Sequence, residues 1–368
     1  MKTIRVLQVV DTLNANGQSR VAVNIANLLQ SSGFQSYICT TRMGGSLLQE
    51  VGEKVGILSL GRISRLDIGA LSKFIAFIRA NPIDIVHAHG ASLFLSSLAS
   101  LFPPYPLVIW HDHYGSFARN PRPLWAYRLG TRLVKGVITC SEPLSEWVRQ
   151  DLQVPAKRVW YLPNFVKTSN DVGKSPILPG SPGARIVCVA NLRPVKDHST
   201  LFRAMKLILQ TTSEAHLLLI GKPETPDDLG LIQKEIKDLG LEDKVSLLGE
   251  RKDVQAILQA SDVGVLSSVV EAFPLVLLEY GMAGLPVVAS KVGQCAEILD
   301  QGRAGIHVPP GSPPLFAEAL STLLQSSSLC KELGNRHKNR VMECYNPQQF
   351  LNKLLLIYDA VLGKESVC

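Results

Sequence analysis

Two carboxylates, Glu271 and Glu279, interrupt the otherwise apolar or neutral stretch SSVVEAFPLVLLEYGMAGLPVVAS, residues 267–290. Such a segment is expected to be buried, and a bare charge placed there is costly unless something answers it. Pro274 suits the first position of a helix and LVLLEYGMA follows in helical spacing, so Glu271 falls in the turn before that helix and Glu279 inside it. If the span were helical throughout, the two acids would lie about 12 Å apart at roughly 1.5 Å per residue. That is too far to share one proton-transfer centre, but it suits hydroxyl groups at two ends of an elongated ligand. Between them a helix N-terminus offers backbone N–H groups and the positive end of a dipole, which favour an anion. Acid, anion pocket, acid would accommodate a sugar, a diphosphate and a ribose. Taken alone, the spacing also fits a capping acid followed by an ordinary helix glutamate.

A second stretch points the same way. VANLRPVKDHSTLFRAM, residues 189–205, sets Arg193 and Lys196 on a loop after a strand, where two cations suit a diphosphate. Elsewhere such a pair would be a solvated surface feature. In DTLNANGQSRVAVNIANLL, Gly17 lets the backbone approach a ligand in the turn before a helix, or simply makes the turn. Four histidines end two strands, HAH at 87–89 and HDH at 111–113. Alternation along a strand puts His87 and His89 on one face and His111 and His113 likewise. A metal must be considered for them. No HExxH or similar motif accompanies them, and polar contact with a substrate is the better reading, with a satisfied core histidine as the alternative for His87. Residues 116–136, SFARNPRPLWAYRLGTRLVKG, carry Arg119, Arg122, Arg128, Arg132 and Lys135 without an acid, interleaved with Phe117, Trp125 and Tyr127. Such a segment can lie on an anionic membrane or form a helix with a solvated basic face.

These residues need elements to hold them at one edge. Apolar β-branched strands alternate with helical patterns from IRVLQVV (4–10) to VWYLPN (159–164), the mark of a parallel, doubly wound sheet. VKTSNDVGKSPILPGSPGA (166–184) is rich in Ser, Pro, Gly and Asn and reads as a linker. The rhythm then restarts with RIVCVAN, HLLLIG, KVSLLG, DVGVLSS and PVVAS, and NPQQFLNKLLLIYDAVLG (346–363) makes a last amphipathic helix. The expected organisation is an N-terminal Rossmann-like domain over 1–166, a linker over 167–184, a C-terminal Rossmann-like domain over 185–345 and a terminal helix over 346–368. Ligands of open α/β sheets bind outside the carboxyl ends of the strands, and two facing sheets make a cleft.

Bulk properties narrow the field. With 46% hydrophobic and 19% charged residues in 368, the chain has the composition of a well-packed protein of more than one domain. The start reads as a first strand instead of a signal peptide, and no apolar run approaches the length of a membrane span. The seven cysteines are scattered without a CxxC, which suits buried free thiols in a reducing compartment and gives zinc no support. Of the net charge of +7, residues 1–166 contribute +8 (17 Lys+Arg against 9 Asp+Glu) and the remainder −1 (21 against 22). An anionic partner of the N-terminal half follows: a membrane surface or a lipid phosphate. Nucleic acid is set aside because no recognised binding motif joins the charge.

SSVVEAFPLVLLEYGMAGLPVVASKVGQCAEIL resembles the signature of the GT-B glycosyltransferases of family four, which transfer a sugar with retention from a nucleotide-sugar. The resemblance runs through DIVHAHG, HDH, VITCSEPLSEWV, RVWYLPN, NLRPVKDH, LLLIGK, VSLLGERKDV, ASDVGVLSS and AGIHVPPGSP. It implies that Glu271 holds hydroxyls of the donor sugar and Glu279 the ribose. Arg193 and Lys196 would hold the diphosphate with the backbone amides of Phe273, Leu275 and Val276. Arg251 would lie near the base, His111 would line the donor-sugar site, and Gly17 and Gly221 would belong to ligand-facing turns. The terminal helix would pack back on the first domain. The chain departs from the pattern in three places: one glycine in NANGQSR, PNF at 163–165, and GKPE after β-strand-like LLLI.

The activity so implied uses no metal and no cofactor, a donor that is most often UDP-linked, and front-side attack in which the leaving phosphate takes the acceptor's proton. The acceptor would be a glycan or a lipid-linked molecule in polysaccharide or glycoconjugate assembly. The place would be the cytoplasm, with peripheral contact at the inner face of the membrane through 116–136. The rival readings are an inactive nucleotide-sugar-binding partner subunit, a nucleotide-sugar epimerase, and a metal-dependent hydrolase built on the four histidines.

Overall fold

The computed structural model of the chain describes residues 3–64, 66–115, 122–167 and 176–364. It divides into two compact units, one made of residues 1–165 with 347–368 and the other of residues 166–346. The strands of the first unit are β1 (Arg5–Val10), β2 (Gln35–Thr40), β3 (Gly56–Ser59), β4 (Ile85–His89), β5 (Leu107–Asp112), β6 (Gly136–Thr139) and β7 (Val159–Tyr161). They pair in the order β3-β2-β1-β4-β5-β6-β7, all parallel. The central strands are apolar along nearly their whole length because helices cover both faces. Val6, Leu7, Val9 and Val10 are buried, and so is every residue of β4, including His87 and His89.

Helix Gly17–Ser31 begins where Asn16 accepts a hydrogen bond from the Ser19 amide, so Gly17 is its first residue. Helix Ile68–Ala80 is capped in the same way by Asp67. The last helix, Pro347–Leu362, belongs to this unit and buries Phe350, Leu351, Leu354, Ile357 and Tyr358. Phe350 packs on Phe165 with ring centroids 4.4 Å apart.

The second unit has β8 (Arg185–Val189), β9 (His216–Ile220), β10 (Val245–Gly249), β11 (Val263–Leu266), β12 (Val287–Ser290) and β13 (Ile306–Val308), parallel in the order β10-β9-β8-β11-β12-β13. Its core gathers Ile186, Leu217, Leu219, Val263, Val265 and Val288 from the sheet with Leu201, Phe202, Met205, Phe316 and Leu320 from the helices. Two doubly wound sheets were expected and two are present. The sequence reading had no place for β3 or β13. Both are short edge strands, and β3 alternates half-buried and exposed residues where the central strands are fully buried.

In each sheet the strand order reverses once, between β1 and β4 and between β8 and β11. Outside the carboxyl ends of those strand pairs the loops diverge and leave a crevice, which is where an open α/β sheet takes its ligand.

Candidate functional site

The crevice of the second unit is built by the loops after β8 and β11. The loop after β8 makes a single helical turn, Pro194–Lys196, and then starts helix His198–Ile208, capped by Asp197 at φ 48°. The loop after β11 is tied to it twice: the Val269 amide donates to Val195 O at 2.9 Å and the Ser267 hydroxyl to Lys196 O at 2.8 Å. These ties bring Lys196 against Glu271. Its ammonium lies 2.5 Å from Oε1 of Glu271, and the Ser268 hydroxyl donates to the same oxygen at 2.7 Å. Both charged side chains are largely buried, with exposures of 23% and 12%. The cost of sequestering each charge is therefore offset by the other, and this answers why an acid stands in an apolar stretch.

Glu271 is followed by three non-helical residues, and the helix runs over Leu275–Ala283. Pro274 is its N-cap, where the sequence suggested the first helical residue. Since only part of the Glu271–Glu279 span is helical, the 12 Å of a continuous helix does not apply. No side chain among the described residues caps this N-terminus, and with the Leu277 amide bonded to Pro274 O, the amides of Leu275 and Val276 are the ones that could meet an anion. The backbone of Phe273 enters this turn and Leu275 and Val276 open the helix, while Glu279 sits half-buried at its fifth position.

Tyr280, next to Glu279, fixes the helix to the sheet. Its buried hydroxyl accepts from the Val189 amide at 2.9 Å and lies 3.2 Å from the carbonyls of Val187 and Val265. Two glycines let neighbouring loops close on this edge. Gly221, at φ 151°, passes so near the loop after β8 that a Cβ would stand 2.1 Å from Ala190 O. Gly293, at φ 50°, presses on the turn that holds the acid, where a Cβ would stand 2.2 Å from Glu271 O.

The other two expected cations are engaged by neighbours that the sequence reading did not name. Arg193 makes a two-pronged pair with Glu224, Nε at 2.6 Å and a second nitrogen at 3.0 Å, with exposures of 45% and 55%. Glu224 is the last residue of GKPE, the place where the chain departs from the family pattern. Arg251 is held in the same way by Asp253, at 2.7 and 2.6 Å. This ion pair lowers the Asp253 carboxyl's pKa.

In the first unit the corresponding crevice, between β1 and β4, holds the histidines. Register aligns Gln8 with His87 and His89 with His111. The rings stack, His87 on His89 with centroids 4.7 Å apart and His89 on His113 at 5.2 Å, while His111 lies tilted against His113 at 4.1 Å. His87 Nδ1 lies 2.8 Å from the Tyr358 hydroxyl and its Nε2 3.2 Å from His111 Nδ1. His89 Nε2 lies 2.8 Å from Gln8 Oε1 and its Nδ1 2.9 Å from His113 Nε2.

Burial, with mutual repulsion added, drives the imidazoles far below their ordinary pKa, His87 and His113 to about 3 and His89 and His111 well below 6.5. Ring nitrogens of His87, His89 and His111 lie within 4.8 Å of one another, close enough for a metal to be considered. The nitrogens of His87 and His89 are, however, already spent on Tyr358, His111, His113 and Gln8. His111 Nε2 is buried and has no hydrogen-bond partner among the described residues. Neither Gln8 nor Tyr358 could have been singled out from spacing.

The basic segment is divided by the fold. Residues 116–121, with Phe117 and Arg119, lie outside the described residues. Arg122 turns inward and grips the buried Asp112 with two hydrogen bonds of 2.6 and 2.9 Å, while its guanidinium lies 4.0 Å from the ring centre of Tyr114 and 4.8 Å from that of Tyr127. Tyr127 packs in turn on Phe94 and Trp110. Arg128 donates to Asp151 O. What faces outward from helix Leu124–Arg132 is Trp125, 73% exposed, and Leu129, 56% exposed, with Arg132 and Lys135 beyond. The expectation of one continuous basic, aromatic face over 116–136 is corrected accordingly.

Two family models match the chain, Glycosyltransferase Family 4 over residues 15–170 and Glycosyl transferases group 1 over residues 178–340. The chain is 30% identical over 177 residues, 48% of its length, to the N-acetyl-alpha-D-glucosaminyl L-malate synthase of Bacillus anthracis, and spans 45% of that protein. It is 23% identical over 373 residues, 95% of each chain, to the UDP-Gal:alpha-D-GlcNAc-diphosphoundecaprenol alpha-1,3-galactosyltransferase of Escherichia coli. Among solved structures, Anabaena HepE in complex with UDP and glucose shares the fold with a TM-score of 0.82 at 18% identity, over 97% of this chain and 100% of that one. Each unit is thus matched by its own glycosyltransferase model over somewhat less than half of the chain, and the fold is that of the GT-B glycosyltransferases.

Proposed function

We propose that the chain is a retaining glycosyltransferase of family four that moves a hexosyl unit from a UDP-sugar to a glycan or lipid-linked acceptor in polysaccharide or glycoconjugate assembly. The observation that carries this reading is the Lys196–Glu271 pair beside an uncapped helix N-terminus at the strand-order reversal of the second sheet. A nucleotide-sugar brings a diphosphate for the ammonium and the helix terminus and sugar hydroxyls for the carboxylate. The donor diphosphate takes over Lys196, joined by Arg193 once it leaves Glu224 and by the amides of Phe273, Leu275 and Val276. Glu271 then holds the donor sugar, Glu279 the ribose, and Arg251 lies by the base, with Gly17 and Gly221 in ligand-facing turns. His111 donates to the sugar.

Charge on the departing diphosphate is answered by these fixed groups, so the reaction needs no divalent ion and no cofactor. No carboxylate is placed as a nucleophile, and attack comes from the face that the diphosphate leaves. The enzyme works at the cytoplasmic face of a membrane, to which the basic N-terminal unit attracts an anionic, lipid-borne acceptor. The names of two relatives, one a UDP-galactose-dependent transferase acting on a diphospho-lipid, support the donor and acceptor classes.

The test is incubation with a panel of nucleotide-sugars, with and without a chelator, following release of nucleoside diphosphate. UDP release that survives chelation is expected. Binding of a nucleotide-sugar with no turnover on any acceptor would leave the inactive-subunit reading, and a strict need for a divalent ion would overturn the metal-free chemistry.

A further inference from the structure

His111 Nε2 is buried without a partner among the described residues, and the hydrogen bonds around it fix which state that nitrogen is in. Gln8 Oε1 can only accept, so His89 donates to it from Nε2. A neutral His89 therefore has a bare Nδ1, which accepts from His113 Nε2–H. Among the described residues the buried Tyr358 hydroxyl has one hydrogen-bond partner, His87 Nδ1 at 2.8 Å, and its proton is directed there. The opposite arrangement would leave the hydroxyl proton without an acceptor. A neutral His87 then carries its proton on Nε2 and donates to His111 Nδ1 at 3.2 Å. A neutral His111 must carry its own on Nε2.

We propose that Tyr358 and His87 are positioning residues: through the relay Tyr358 O–H to His87 to His111 they lock His111 as an Nε2–H donor, ready for an oxygen of the ligand. The relay explains why the last helix of the chain, Pro347–Leu362, returns to the first unit with a tyrosine at this turn. Its wrong tautomer would present a lone pair to an incoming sugar oxygen and repel it. A buried donor left without an acceptor is costly, so the empty state is held ready at the expense of stability. That the acceptor is a donor-sugar oxygen rests on the function proposed above; the tautomer itself does not.

The experiment is long-range proton–nitrogen NMR on the full chain labelled with 15N-histidine, His111 being assigned from a His111→Asn variant. Expected in the wild type is a single His111 tautomer protonated at Nε2, found without any ligand. Tyr358→Phe removes the O–H donor and should leave His111 a mixture of tautomers. His87→Gln keeps an N–H toward His111 and should preserve the Nε2–H state, whereas His87→Leu should not. The donor KM of Tyr358→Phe should rise in proportion to the lost competent fraction, on the order of several-fold, with kcat at saturating donor nearly unchanged. His111 protonated at Nδ1 in the wild type, or a tautomer unmoved in Tyr358→Phe, would overturn the relay. If the relay is present but a UDP-sugar leaves the His111 signals where they were, the relay stands and the role of His111 at the donor site falls.

Discussion

Lys196 and Glu271 neutralise each other in the empty protein, so a nucleotide diphosphate must compete with a carboxylate for the ammonium. Replacing Lys196 by Ala should still weaken nucleoside diphosphate binding by about 1–3 kcal/mol, the worth of a charged hydrogen bond, as read by calorimetric titration. Unchanged affinity would remove Lys196 from the phosphate site. Arg193 stands in a different position, because its partner Glu224 is exposed and the pair is worth only about 0–1 kcal/mol. Glu224→Gln should therefore tighten nucleoside diphosphate binding, but by no more than about fivefold, and the gain should shrink as salt is raised. Weaker binding by that variant would show that Glu224 helps hold the ligand instead of competing for Arg193. The residue types at 193, 196, 271 and 279 could be read as ligand-binding from spacing alone. Their pairing could not: Glu224 comes from another loop, 31 positions on, and only the folded chain brings it to Arg193.

Helix Leu275–Ala283 is where element and site meet. Its amides can face a ligand only because Tyr280 bolts it to β8 and β11. Tyr280→Phe leaves the Val189 amide without its acceptor and should cost about 1–3 kcal/mol in denaturant unfolding, with weaker nucleotide binding in step. Full stability in that variant would show that the hydroxyl is replaceable by water.

Helix Leu124–Arg132 makes the opposite point. Residues 116–136 suggest five basic residues for a membrane, yet Arg122, just before the helix, is buried on Asp112 and four aromatic rings, and Arg128 is turned onto a backbone carbonyl. The outward face that could meet lipid is Trp125, Leu129, Arg132 and Lys135. A Trp125→Ser/Leu129→Ser/Arg132→Glu/Lys135→Glu variant should lose co-sedimentation with anionic vesicles, while the wild type should bind them less as salt rises. Equal sedimentation of both proteins would leave this a solvated helix face. No described helix is long and apolar enough to cross a membrane.

Across the whole molecule, six histidines are kept uncharged by burial. Four stack in the first unit, and His198 and His337 in the second have pKa values lowered to about 4 by the same desolvation. Unfolded, each would titrate near its ordinary value of about 6.5, so below that pH the unfolded chain binds more protons than the folded one. Stability is then complete above about pH 6.5 and declines as pH falls toward the folded values, by roughly 2 kcal/mol at pH 5 for each of His87, His113, His198 and His337. Two such groups in each unit amount to a large share of a domain's stability. Thermal unfolding should therefore move to much lower temperature, or be lost, at pH 5 relative to pH 7.5. Equal Tm at the two pH values would mean that the cluster is hydrated and titrates normally. The described cysteines behave as the composition suggested, four buried and two half-buried, all free, with burial raising the thiol pKa of Cys39, Cys140, Cys188 and Cys295.

By itself the sequence determined two parallel sheets, their helices and the edge at which the loops after the strands gather. Those features follow from local periodicity: a strand covered on both faces must be apolar throughout, and a loop after such a strand can lie only at the carboxyl edge. It did not reveal β3 and β13, because a short edge strand exposed on one side carries too little pattern. Only the tertiary structure decided that Pro274 caps its helix without entering it, that Arg122 belongs to the core, and that Tyr358 reaches His87 across 271 positions of the chain. Hydrogen bonds and ion pairs act over a few ångströms between residues far apart in sequence, and nothing in local spacing encodes which distant partner will arrive.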